Sequence, residues 1–187
     1  MNAVRAWRPS TQDVVVAAHE ASHAILGIAT GARVPVVSIV PSGDTDGHAI
    51  LHRDVPRERR RQRRTRVSRV FLRHEAILEA QVALAGRAGE QLVTGWPQFA
   101  ADPEWLDYAL DWDSDLRRAL ECVLCASAGR RSVLAWLASA YDAALAYLFA
   151  HTLHVNVLVG ALLEYWVIDP QRFLAELPPV GAPTPTK

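Results

Sequence analysis

The chain has 187 residues, half of them hydrophobic, and its 20 basic and 20 acidic residues give a formal net charge of zero. A neutral chain has no bulk charge that would attract nucleic acid or an anionic surface. The only lysine is Lys187. This excludes a phosphate-binding P-loop, which needs a lysine directly after its glycines, and we expect no nucleotide-driven activity.

The first predicted elements are a helix and a hairpin. In "RPSTQD" either Ser10 or Thr11 is suited to cap a helix, with Asp13 in its first turn. The helix should continue to Gly31, a residue suited to the left-handed conformation that follows a helix end. Two strand-like segments, 33–41 and 48–52, flank a turn and predict a small hairpin.

An Arg-rich stretch, residues 57–66, follows the hairpin with seven arginines in ten positions. One hypothesis is a patch that binds nucleic acid, which predicts steep salt dependence of binding. Because the stretch contains no aromatic residue for base stacking, we interpret it instead as a solvated loop and helix start. We therefore do not expect nucleic acid as a partner.

The remainder of the chain reads as helices with one long connection. The segment 96–114 is predicted to be a loop, and long loops in compact domains are often functional. The helices are predicted at residues 67–93, 115–128, 132–152, 155–166 and 169–177. The sequence thus predicts a mainly α (α+β) fold with a small hairpin or sheet near the first helix. We expect one domain, residues 1–176, and a disordered Pro-rich tail, residues 177–187.

Residues 143–163 contain no formally charged side chain over 21 positions, about the length that spans a bilayer. They also include His151, His154 and Asn156, polar groups that are costly in hydrocarbon. We therefore expect two buried helices and no membrane span. For the two histidines, a second metal site is the alternative to a structural role within these helices.

The cysteines bear on the compartment. Cys122 and Cys125 are too few for a disulfide framework and indicate a reducing environment. The N-terminus also lacks the order of a signal peptide, so we expect a cytoplasmic protein. Because this C-x-x-C pair has no second half of a zinc knuckle, we interpret the two residues as small buried hydrophobes.

The segment "HEASH", residues 19–23, places two histidines and a glutamate on an apolar helix. His19 and His23 are four residues apart and share one helical face. Two imidazoles in this arrangement can bind one zinc ion, and Glu20 can then polarise a bound water. The alternative is a pair of hydrogen-bonded core histidines. Burying Glu20 without a partner is costly, which favours zinc.

A catalytic zinc site usually has three protein ligands, and the sequence leaves the third one open. The candidates are Asp111, Asp113, Asp115, Glu90, His48, His52 and His74.

Several motifs in order resemble one known family. They are "AAHEASHAILGI", "VVSIVPSG…GHAI", "ALAGRAGEQLVTG", "DWDSDLRRALECV", "AYDAALAYLFAH" and "LLEYWVIDPQRFLAEL". Over residues 12–176 the chain resembles the peptidase domain of the FtsH-type ATP-dependent zinc proteases. Two departures stand out: Ser22 replaces the family's glycine inside HEAGH, and "LDWDSD" is bulkier and more acidic than the family's GAxND.

The resemblance implies a mostly helical zinc-peptidase fold that holds one zinc ion per chain. It implies His19, His23 and Asp115 as ligands and Glu20 as general base. Glu90 matches a family glutamate near the site, which implies that it supports a ligand histidine. A surface role is the alternative for Glu90. We expect Ser114 to cap the helix of Asp115, and Asp111 and Asp113 to be solvated loop carboxylates.

Metallopeptidases often bind a peptide as an added strand beside an exposed sheet edge. Gly47, His48, Ala49 and Ile50 are our candidate edge strand, and an ordinary hairpin strand is the alternative. We therefore expect a zinc-dependent, ATP-independent endopeptidase that hydrolyses peptides or unfolded proteins. The other hypothesis is a zinc-containing binding or regulatory module without turnover. Apolar residues 143–166 would contact a partner or a second copy.

Overall fold

A computed structural model of the chain describes residues 9–42, 46–52, 66–100, 102–111, 113–126 and 131–181. The helices are α1 (Thr11–Ala29), α2 (Arg66–Thr94), α3 (Pro103–Leu110), α4 (Ser114–Ala126), α5 (Arg131–Ala150), α6 (Thr152–Tyr165) and α7 (Pro170–Leu174). The strands are β1 (Arg33–Ser38), β2 (His48–His52) and β3 (Val167–Ile168). The predicted mainly α fold with a small sheet is confirmed. The Arg-rich stretch, except Arg66, lies outside the described residues.

Helix α1 is the central element of the fold. It begins with a capping box in which the Ser10 side chain accepts the N–H of Asp13 and the Asp13 side chain accepts the N–H of Ser10. It ends before Gly31, whose φ of 82° is easily reached only by glycine. Its middle is buried on all sides, because it packs against α2, α6 and the hairpin. Polar side chains on this helix therefore lie inside the protein.

The sheet has three antiparallel strands in the order β2-β1-β3. The predicted hairpin forms its first two strands, and β2 lies at one edge. The third strand was not predicted, since two residues are too short to give a periodic signal. It follows Trp166, which adopts a left-handed φ of 65° and accepts the N–H of Ile39 at 2.9 Å. This contact attaches the end of α6 to β1.

The prediction of a loop over residues 96–114 was wrong for its middle part, which forms α3. The side chain of Asp102 caps this helix by accepting the N–H groups of Glu104 and Trp105. Pro103 occupies the first helical turn, where its missing N–H costs nothing. The Asp-Pro pair is therefore a local helix-start signal within a segment whose length favours a loop.

The apolar run 143–163 is divided between α5 and α6, which meet at His151. Among the described residues, one helical window, Val133–Ala150, is long and apolar enough to cross a membrane, with a mean hydropathy of 1.5. This is weak support for a span, because it rests on length and composition alone. Only 33% of the window is buried inside the protein, so the helix is less buried than expected. Helix α5 packs closely on α2 and buries Leu137 and Leu148 completely.

The first residues of the predicted tail contact these two helices. The carbonyl of Pro178 accepts a hydrogen bond from His154 Nε2 at 2.7 Å, and the carbonyl of Gly181 accepts one from the Tyr147 hydroxyl. His154 is buried, as expected for a structural histidine. Residues 182–187 lie outside the described part of the chain, and the domain boundary at residue 176 stays a prediction.

Candidate metal centre and active site

His19 and His23 face the same side of α1, with their Nε2 atoms 3.0 Å apart. Helix α2 crosses α1 closely at this point because Gly86 has no side chain. A Cβ atom at Gly86 would overlap the ring of His19. Similarly, a Cβ at Gly89 would overlap the side chain of Ser22. The two glycines of "GRAGE" therefore set how near the histidines lie to α2.

Each histidine is oriented by an acceptor on its other ring nitrogen. His19 Nδ1 donates to Glu90 Oε1 at 2.6 Å, and His23 Nδ1 donates to the carbonyl of Val82 at 2.8 Å. Since an ionised carboxylate and a carbonyl only accept, both Nδ1 atoms carry the proton. In the neutral rings, both Nε2 atoms therefore present lone pairs, the state in which imidazole binds a metal.

Asp115 brings a carboxylate to the same point from the first turn of α4. Its Oδ2 lies 3.1 Å from His19 Nε2 and 3.0 Å from His23 Nε2. Asp113 fixes this turn, because its Oδ1 accepts the N–H groups of Asp115 and Leu116, both at 2.9 Å. The expectation of a Ser114 cap and a solvated Asp113 was wrong: Asp113 is the cap and it is buried.

The three ligand atoms fit a tetrahedral metal site. Their separations of 3.0–3.1 Å approach the separation of about 3.3 Å between ligand atoms with zinc bonds of about 2.0 Å. Two imidazole nitrogens and one carboxylate oxygen are a common catalytic donor set for zinc. Among the described residues, these three side chains are the only group placed to hold a metal ion together.

The charges of the site favour a cation where these atoms meet. Burial lowers the pKa of His19, but hydrogen bonds with Asp115 and Glu90 and the charges of Glu20 and Glu90 raise it to about 10. Burial raises the pKa of Asp115, but the charge of His23 and the hydrogen bonds of both histidines lower it well below its ordinary value. A proton or a metal ion at this point is therefore stabilised.

Glu20 lies beside the histidines and is buried against the hairpin. A Cβ at Gly47 would lie 2.9 Å from Glu20 Cγ and 2.8 Å from the carbonyl oxygen of Ser38, so glycine there leaves room for this side chain. Burial raises the pKa of Glu20, and the charges of His23, His19 and His48 offset this only in part. A raised proton affinity suits a general base near neutral pH.

A cavity of about 400 Å³ opens over these residues. Its walls come from α1, α2, the start of α4 and the edge strand β2. Gly47, His48 and Ala49 line it, as does Leu51. Ile50 does not line it, and its side chain is 41% exposed. Three of the four residues predicted to bind substrate therefore adjoin the site, while Ile50 points away.

Of the other candidate third ligands, Glu90 contacts His19 only through Nδ1, and not the Nε2 atoms that meet Asp115. His48 lines the cavity, whereas His52, His74 and Asp111 are exposed. Sequence reasoning missed Arg87, which contacts both Glu90 and Asp113. Its spacing from Glu90, one helical turn, was a usable signal.

A comparison of the chain with models of known protein families finds no match, and a search of curated proteins finds none either. Support for a function therefore comes from the geometry of this site and from the motifs of the sequence.

Proposed function

We propose that the protein is a zinc-dependent, ATP-independent endopeptidase acting on peptides or unfolded chains. The observation that carries the proposal is the convergence of His19 Nε2, His23 Nε2 and Asp115 Oδ2 within 3.1 Å of one another. The buried Glu20 beside them supplies the base. A hydrolytic site needs both features together.

The packing of α1 on α2 supports the resemblance to the FtsH-type peptidase domain. Ser22 stands where that family has a glycine, and it faces Gly89, which stands where the family motif GRAAEE has an alanine. A Cβ at Gly89 would overlap Ser22 Oγ, so serine at position 22 leaves room only for glycine at position 89; the carbonyl oxygen of Ala18, 2.6 Å from such a Cβ, restricts this position as well. The departure at Ser22 is thus compensated by its neighbour.

When bound, zinc would lower the pKa of its water and polarise the scissile carbonyl. Glu20 accepts a proton from the attacking water while the water oxygen bonds to the carbonyl carbon. Glu20 then donates this proton to the leaving nitrogen as the C–N bond breaks. Glu90 and the Val82 carbonyl hold the two imidazoles in orientation throughout, so no ring has to reorient during the reaction.

The substrate is proposed to bind as an additional strand beside β2. This strand is at the sheet edge, and its beginning lines the cavity next to Glu20. Hydrogen bonds along an edge strand recognise main chain and tolerate varied side chains. A folded substrate has few free main-chain groups, so peptides and unfolded chains suit this mode best.

The test compares wild-type protein with Glu20→Gln and, as a control, Glu121→Gln on the exposed side of α4. Cleavage of a labelled, unfolded casein and the bound zinc are measured for each. Glu20→Gln should keep zinc and lose about 10²- to 10⁴-fold in turnover, the usual contribution of a general base. Glu121→Gln should match the wild type. Undiminished cleavage by Glu20→Gln would rule out the mechanism.

A zinc-containing binding or regulatory module without turnover is the second candidate. It is favoured by the exposed apolar side chains where α5 meets α6: Phe149 is 73% and Leu153 is 58% exposed. Such residues suit contact with a partner or a second copy. Stoichiometric zinc without hydrolysis of any unfolded substrate would support this candidate over the peptidase.

A further inference from the structure

The guanidinium of Arg87 joins two carboxylates that come from different helices. Its Nε donates to Asp113 Oδ2 at 2.9 Å, and one terminal nitrogen, Nη1, donates to Glu90 Oε2 at 3.1 Å. The three side chains are only 18%, 6% and 13% exposed, respectively. Arg87 therefore forms a largely buried ion pair with each of them, one carried by α2 and the other at the start of α4.

The second oxygen of each carboxylate acts on a proposed zinc ligand. Glu90 uses Oε1 to accept from His19 Nδ1 at 2.6 Å, and Asp113 uses Oδ1 to accept the N–H of Asp115 at 2.9 Å. Arg87 thus contacts two carboxylates, each of which in turn contacts one of the three proposed ligand residues. These two ligands are 96 positions apart in sequence.

The charges around the site also favour this link. Glu20, Glu90, Asp113 and Asp115 all line one cavity, and like charges that are partly buried repel each other and carry a desolvation cost. Arg87 places one positive charge between two of these four carboxylates, Glu90 and Asp113. A planar guanidinium can donate to two carboxylates in fixed directions, whereas an ammonium is a compact point charge on a flexible stem.

We propose that Arg87 is a positioning residue that sets the zinc affinity of the site by holding Glu90 against His19 and Asp113 against the turn of Asp115. The inference rests on the proposed zinc site. Loss of a partner that directly contacts a ligand usually lowers metal affinity about 10- to 100-fold, and Arg87 holds two such partners in place. Arg87→Gln should lose zinc affinity to this extent. Arg87→Lys should lose less, because lysine keeps the positive charge but lacks the planar group that donates to two carboxylates.

The experiment measures zinc dissociation constants by competition with a chromophoric chelator for the wild type and these two variants. The matched control is Arg73→Gln, an exposed arginine on the same helix and about 20 Å away along its axis. Visible absorption of the cobalt(II)-substituted proteins reports ligand geometry. Urea unfolding in chelator reports stability alone, which a purely structural arginine would change without changing the other two readouts.

The proposal expects weaker zinc binding and an altered cobalt spectrum in Arg87→Gln, with both unchanged in Arg73→Gln. Zinc affinity within twofold of wild type and an unchanged spectrum in Arg87→Gln would overturn it, whatever the stability of that variant. If Arg87→Gln does not fold, the same criterion applied to Arg87→Lys decides. A wild type that binds zinc but cleaves nothing would refute the peptidase and leave this role of Arg87 intact.

Discussion

Replacing Gly86 with alanine should disturb the zinc site more than the fold. The added Cβ would overlap the Cε1, Nε2 and Cδ2 atoms of His19, one of which is the proposed ligand atom. The ring cannot move aside freely, because its Nδ1 is held by Glu90 at 2.6 Å. The substitution therefore forces either the two helices apart or the imidazole away from Glu90.

Two opposing effects set the change in the free energy of unfolding. Alanine is favoured over glycine inside a helix by about 1 kcal/mol, whereas an extra methyl group in a packed core costs about 1–3 kcal/mol. We expect a net loss of about 0–2 kcal/mol from these two terms. Zinc affinity should fall at least about tenfold, because functional constellations tolerate displacements of only about 0.5 Å.

Gly160 provides the control, since it also lies in a helix but has no heavy atom within 4 Å of an added Cβ. Gly160→Ala should gain about 0.5–1 kcal/mol and bind zinc normally. Urea unfolding in chelator and zinc competition measure the two effects separately. If Gly86→Ala gained as much stability as Gly160→Ala and kept its zinc affinity, the close approach of α2 to His19 would be refuted.

Three further predictions concern His19, Asp115 and Gln81. In chelator, the free energy of unfolding should fall as pH rises from about 6.5 to 10, because the pKa of His19 is raised to about 10 in the folded protein. Protonated His19 contributes its full stabilisation below its unfolded pKa and none above its folded pKa. Urea midpoints that stay constant over this range would contradict the prediction. By metal analysis, Asp115→Ala should lose its stoichiometric zinc while Asp111→Ala retains it. Stoichiometric zinc in both variants would exclude Asp115 as a ligand. Gln81 is fully buried, and neither of its amide atoms has a partner among the described residues. Gln81→Met should therefore raise the free energy of unfolding by about 1–3 kcal/mol, as measured by urea unfolding; a loss of stability would show that the amide is satisfied.

The sequence predicted that the two histidines share one face because helical periodicity acts over four residues; zinc binding by them stays a prediction. His19 and His23 share a face in any regular helix. It could not select Asp115 by spacing, because seven candidates fitted a third ligand equally, and the motif resemblance was needed to choose among them. The structure places Asp115 within 3.1 Å of both histidines.

The error about the cap of α4 has a physical cause. The cap is the residue that immediately precedes the first helical residue. The segment "DWDSD" contains three aspartates and a serine, any of which is a suitable cap. Asp113 is the cap because its Oδ1 accepts the N–H groups of Asp115 and Leu116, while its Oδ2 forms an ion pair with Arg87. Arg87 lies 26 positions from Asp113 in the sequence, so no rule based on neighbouring residues could predict this ion pair.

The two parts of the site differ in how firmly the fold holds them. His19 and His23 belong to a buried helix that packs against α2 over most of its length. Asp115 belongs to the first turn of α4, and its side chain is 31% exposed. The histidine pair is therefore fixed by the hydrophobic core, whereas the carboxylate depends on the cap of Asp113 and the ion pairs of Arg87. A zinc ion would cross-link these two parts, so its binding should stabilise the start of α4 more than the start of α1, which hydrogen exchange at Leu116 and Val16 would resolve.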